Sequence, residues 1–91
     1  MNIYFAGPAN ADLKNIEDYI REDNPTAAVS TVRCIVESTK RLSLFPNMGR
    51  LGRSVNTREL IISGTPYIVK YQLRQDRIII LRVLHAARKW L

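Results

Sequence analysis

At 91 residues, with 46% hydrophobic and 24% charged content, the chain has the size and composition of one soluble globular domain. A second core would leave both too small to be stable, no apolar run approaches the ~20 residues of a membrane span, and the first twenty residues lack the basic start and apolar run of a secretory signal. The net charge of +6 is uneven: residues 1–37 hold three cationic and six acidic side chains, residues 38–91 eleven and two. A cationic half of this kind attracts nucleic acid, ribosome or an acidic protein, or only keeps the chain soluble.

In chain order, "IYF" at 3–5 reads as a short strand. Gly7-Pro8 then opens a helix, since proline suits the first turn. Leu13, Ile16, Tyr19 and Ile20 recur at helical spacing and form its apolar stripe. "DNP" at 23–25 breaks it, with Asn24 as N-cap and Pro25 as first residue of a second helix. Ala28, Val32, Ile35, Val36, Thr39 and Leu42 carry that helix's stripe. With so short a linker the two helices form an antiparallel hairpin. Single Cys34 has no disulfide partner, which fits a reducing cytoplasm.

"FPNMGRLGRSVN" has no period and reads as a mobile loop carrying Arg50 and Arg53. "TRELII" is a strand, "SGTP" a turn, and "YIVKYQL" a strand by its alternation of Tyr67, Val69, Tyr71 and Leu73 with Ile68, Lys70 and Gln72. "RQD" is a tight connection, and the nearly all-apolar "RIIILRVL" reads as a central strand covered on both faces. The sum is an α+β domain of order β-α-α-β-β-β over 1–91. Its N-terminal helical hairpin packs on a small antiparallel sheet, and Lys70 points to the open face.

The ordered pieces "DLKNIEDYI", "NPTAA", "LSLFPNMGRLGR", "TRELIISGTPYIVKY" and "ILRVLHAAR" resemble the RelE/ParE superfamily of bacterial toxins, closer to ParE. The match runs from about Pro8 to Trp90. The resemblance implies the same fold and a toxin of a type II toxin–antitoxin module, working in the cytoplasm without cofactor or metal. It implies a cognate antitoxin as partner, acidic and encoded next to it, forming a toxin–antitoxin hetero-oligomer. The ParE-like activity is poisoning of DNA gyrase. The RelE-like alternative is ribosome-dependent cleavage of messenger RNA. A third possibility is a relative that keeps only antitoxin binding.

Metal-free RNA cleavage needs proton transfer at the 2′-hydroxyl and the leaving oxygen, plus charge stabilisation at phosphorus. His85 is the one side chain with an ordinary pKa near neutrality. Arg58, Arg82 and Arg88 are the phosphate partners in that reading. Against it, many nuclease members start the strand of Tyr67 with a substrate-gripping arginine, and a phenol cannot neutralise phosphate. His85 also matches an "LH" widespread among ParE-like members. A histidine ending an apolar strand is more often structural than catalytic. One Cys and one His cannot build a zinc site. "GPANAD" and "MGRLGR" match no phosphate-binding loop, and Ser63 lacks a nucleophile elbow.

For target binding the candidates are Arg50, Arg53, Arg58, Arg88, Lys89 and Trp90. Arg58 has a structural reading too, pinning the loop or the C-terminal end. A cation–aromatic cluster can stack on a base or fill a protein hot spot. ParE-like relatives often carry an acid near Lys89, so any role of that acid is in doubt. For the antitoxin they are Leu13, Ile16, Tyr19, Ile20, Val32 and Val36 on the hairpin, with Ile68 and Lys70 on the sheet. A disordered acidic segment folding over this surface would find the cationic half attractive.

Overall fold

The structure, a computed structural model, describes residues 1–88. Strand β1 (Asn2–Phe5) leads into helices α1 (Gly7–Arg21) and α2 (Pro25–Lys40). Strands β2 (Arg50–Leu51), β3 (Thr57–Ile61), β4 (Tyr67–Arg74) and β5 (Arg77–His85) follow. Both helices start as their sequences dictate. Proline occupies the first turn of each, and Asn24 Oδ1 accepts from the Ala27 N–H at 3.0 Å. Thr39, buried inside α2, returns its hydroxyl to Val36 O at 2.7 Å, so no buried polar atom is left unmet there.

The sheet runs β1-β5-β4-β3-β2. Strands β2 to β5 pair antiparallel, whereas β1 lies parallel to β5, from Asn2 opposite Arg77 to Phe5 opposite Ile80. The chain reaches that parallel edge because two helices separate β1 from the meander, long enough for a crossover. Two residues of the segment read as loop form β2 and pair with Arg58 and Glu59. The turns use left-handed backbone where tightness requires it: Gly64 at φ +80° before β4, and Gln75 at φ 49° in the two-residue β4–β5 hairpin.

The helices cover one face. Ile16, Ile35 and Leu42 meet Val69, Tyr71, Ile78, Ile80 and Val83 in one core. Each such side chain contributes roughly 1.5–3 kcal/mol on burial. The stripe of α1 is Ala9, Leu13, Ile16 and Ile20; Tyr19 lies at its edge, 74% exposed. Tyr19 therefore does not belong to the core, as its spacing had suggested.

Strand β5 is not covered on both faces either: Ile78 and Ile80 are buried, with Ile79 half-exposed between them. A β-bulge at Leu81 explains how its apolar run is used. Lys70 pairs with Arg82 but Tyr71 with Ile80, so Leu81 has no opposite residue. The extra residue reverses the alternation. Val83 returns to the helix-covered face, 3% exposed, and Arg82 is turned out of the core.

Candidate functional site

Strand β1 ends at Phe5, while β5 continues to His85. Ala6 N–H still reaches Ile80 O at 2.9 Å, but beyond that β5 has no strand neighbour on this side. Helix α1 crosses there, and Asp12 takes the place of the missing strand. Its Oδ2 accepts from the Val83 N–H at 2.9 Å and from Arg82 Nε at 2.7 Å, and its Oδ1 accepts from Arg82 Nη2 at 3.0 Å. One carboxylate thus satisfies an edge amide and holds a guanidinium in a bidentate pair. The bond to Asp12, reinforced by its charge, holds the Arg82 pKa above its ordinary value.

Next to this pair lies a groove of about 810 Å³. Its walls include Ile16, Tyr19 and Ile20 of α1, the Thr65–Tyr67 corner, and Val83 and His85 of β5. Tyr67 and His85 stand opposite each other in the β4–β5 ladder. Their rings meet edge to face, centroids 5.6 Å apart. The Nδ1 of His85 accepts from the Ala87 N–H at 3.2 Å, a bond that only the unprotonated nitrogen can make. The imidazole is thus oriented by a neighbouring ring and a backbone amide.

At the opposite end of β4 the segment before β2 is fastened to the sheet. The Tyr71 hydroxyl donates to Pro46 O at 2.8 Å and accepts from the Gly49 N–H at 2.9 Å. Arg58 Nη1 donates to Asn47 O at 3.2 Å and Gly49 O at 2.8 Å. Two side chains therefore hold four backbone groups within residues 46–49. Gly49 is required at this point, because a Cβ would lie 2.8 Å from Glu59 O and from the Tyr71 ring and hydroxyl. Burial raises the Tyr71 pKa, opposed by the Gly49 amide and the Arg58 charge. Alongside, Arg50 Nη2 pairs at 3.2 Å with Glu59, whose carboxylate is buried.

Three candidates for RNA chemistry fall in this frame. Arg82 and His85 share the groove, but Arg58 does not join them. It pairs with Tyr71, four residues along β4 from the partner of His85. That offset is about 13 Å along the strand. Arg88 closes a short 3-10 turn, Ala86–Arg88, and Lys89 and Trp90 lie outside the described residues.

Arg50 sits in its ion pair, and Arg53 is exposed on the following bend. The segment of these two arginines is strapped down at residues 46–49, so its mobile reading is corrected there. Of the antitoxin candidates, Ile16, Tyr19 and Ile20 line the groove; Leu13, Val32 and Val36 are half-buried in the hairpin. Lys70 is half-exposed. Ile68 is 5% exposed, so it offers little surface to a partner, contrary to the alternation reading. Its neighbours across the ladder, Ile61 and Leu84, flank it on both sides. Asp12 and Tyr71 escaped the sequence reading as site residues, because their bonded partners lie 70 and about 22–25 positions away.

Comparison with known proteins identifies this architecture. The model of a family described as the ParE toxin of the type II toxin–antitoxin system parDE matches residues 3–90. A protein of Sinorhizobium fredii whose name gives it as a toxin, Y4kP, is 40% identical over 78 residues, covering 86% of this chain and 80% of its own. Toxin RelE2 of Caulobacter vibrioides is 35% identical over 80 residues, covering 88% and 89%. A solved structure from P. aeruginosa, described as a chromosomal ParDE toxin–antitoxin system, superimposes with a TM-score of 0.87 at 28% identity, covering 93% of this chain and 95% of the other.

Proposed function

This chain belongs to the ParE toxin family of type II toxin–antitoxin systems, and from that premise we propose that its toxic act is protein recognition. It would poison DNA gyrase in the cytoplasm and be neutralised by a cognate antitoxin. The observation that carries this reading is the engagement of the arginines that RNA cleavage would use. Arg82 is held bidentate by Asp12, and Arg58 is spent on the carbonyls of Asn47 and Gly49. A phosphate would have to displace these internal bonds. Tyr67 packs its ring on His85 and adds no cation to the groove.

The antitoxin's place is the groove between α1 and the β5 end. Tyr19 is 74% exposed there, beside Ile16 and Ile20, and the strand edge is open apart from Asp12. An acidic segment ordering over this groove would gain from the cationic half of the chain. No described helix is long and apolar enough to cross a membrane.

The likeness to a protein named Toxin RelE2 supports a second reading, ribosome-dependent cleavage of messenger RNA. In that reading His85 transfers protons with Arg82 beside it. A supercoiling assay with purified gyrase separates the two. The gyrase reading expects loss of supercoiling activity with added toxin. Intact supercoiling, together with new transcript ends within codons on primer extension, would support the nuclease instead. Toxicity that survives His85→Ala eliminates the imidazole as catalyst.

A further inference from the structure

The segment fastened by Tyr71 and Arg58 presents an unusual surface. Within eight residues, Leu44 is 77% exposed, Phe45 61%, Met48 41% and Leu51 76%. Ile61 of β3, 57% exposed, shares a wall with Met48 across the β2–β3 edge. Single exposed apolar side chains are ordinary, but four within eight residues of one short segment are a concentration that suits a contact site. It is not a fraying loop: Leu44 and Phe45 N–H groups bond to Arg41 O, Met48 N–H to Phe45 O, and the clamp fixes residues 46–49. A surface held rigid in advance loses less entropy on binding. Arg41 and Arg53 flank it along the chain, and Arg50 lies within it, paired with Glu59 yet 51% exposed.

From this we infer that the Leu44–Leu51 segment is the surface that grips the toxin's target, and that its occupant is a protein face with apolar sockets rimmed by carboxylates. The inference rests on the reading of toxicity as protein recognition. Three features choose the occupant. Residues 38–91, with eleven cationic and two acidic side chains, would set like charge against like if two copies met through this segment. Nucleic acid would engage the arginines but leave four large apolar side chains unused. The cationic border around an apolar centre is the complement of an acidic rim around a pocket. The segment also sits at the Tyr71 end of β4, away from the groove at the Tyr67 end, so target and antitoxin would occupy different surfaces.

The test is a Leu44→Ser, Phe45→Ser, Leu51→Ser triple variant, with Tyr4→Ser, Val29→Ser as control, since those two are large apolar side chains about half exposed on other elements. Growth arrest on expression, inhibition of purified gyrase and thermal midpoint are read together. The triple variant is expected to keep its thermal midpoint and lose about ten-fold or more in potency, the scale of losing a hot spot, while the control keeps both. Leu51→Asp is expected to lose more potency than Leu51→Lys, because the former adds a charge of the rim's own sign.

A triple variant as potent as the wild type overturns the inference, as does equal loss in the control. Equal or reversed losses for the two Leu51 variants overturn the acidic rim. A dimer in sedimentation that the triple variant dissolves would assign the patch to a second copy. Duplex-DNA affinity falling in step with potency would assign it to nucleic acid; both results overturn the proposal. If wild-type toxin leaves gyrase untouched while the triple variant still loses growth arrest, the target is not gyrase but the surface stands.

Discussion

Tyr67 and Tyr71 lie on one face of one strand, four residues apart, and end in opposite circumstances. Tyr71 is fully buried, its hydroxyl held by two backbone groups of the segment that passes over it. Tyr67 faces a groove and rests on His85. The difference comes from what crosses the sheet at each end. At the Tyr71 end the chain itself returns and is fixed by a buried phenol and by the Arg58 guanidinium, both bonded to its backbone. At the Tyr67 end only the flank of α1 crosses, and a charged pair in partial contact with water closes the edge. The first end is fastened by its own chain, and an open groove is left at the second.

Substitutions at the two ends should therefore differ in cost. The largest effect is expected for Gly49→Ala. A Cβ placed 2.8 Å from Glu59 O and Tyr71 has no space, and the overpacking should cost roughly 3 kcal/mol in urea unfolding. Tyr71→Phe removes one hydroxyl and strands Pro46 O and the Gly49 N–H, with an expected loss of about 1–3 kcal/mol. Its pH dependence sharpens the point. Burial raises the Tyr71 pKa, so the folded state holds this proton more tightly than the unfolded chain. That contribution is complete below the ordinary value of 10.0 and fades as pH rises above it through the folded value. The gap between wild type and Tyr71→Phe should narrow in alkaline unfolding curves; a constant gap would mean that the phenol is not desolvated.

At the groove end the losses should be smaller. Asp12→Ala frees the Val83 amide and Arg82, but the guanidinium is 45% exposed. Discounted for solvent, the loss is about 1 kcal/mol, and added salt should reduce it. Smallest is His85→Ala, expected to cost under about 1 kcal/mol because its hydrogen bond and ring contact are partly exposed. If His85→Ala proved costlier than Tyr71→Phe, the division between a tightly fastened end and a loosely closed end would be wrong.

Much of the fold was legible because it is local. Proline, asparagine and the stripes of three-to-four spacing mark both helices, and alternation marks β4. Less legible were features set by distant parts. The parallel seat of β1 depends on β5, some 75 residues later. The bulge at Leu81 let an apolar run imitate a strand covered on both faces, although only one face meets the helices. Tyr19 fitted the spacing of its stripe, yet one step around the helix places it in the groove. Among site residues, sequence singled out Arg58, Arg82 and His85 by their chemistry. It could not show that Asp12 and the backbone of residues 46–49 already occupy the two arginines. Those partners are set by tertiary packing, which no local pattern encodes.

The decisive experiment is DNA supercoiling by purified gyrase with wild-type toxin and His85→Ala side by side. Recognition by a surface predicts that both block supercoiling with equal potency. Gyrase unaffected by the wild type, with the His85→Ala protein losing a messenger-RNA cleavage that the wild type shows on ribosomes, would contradict it.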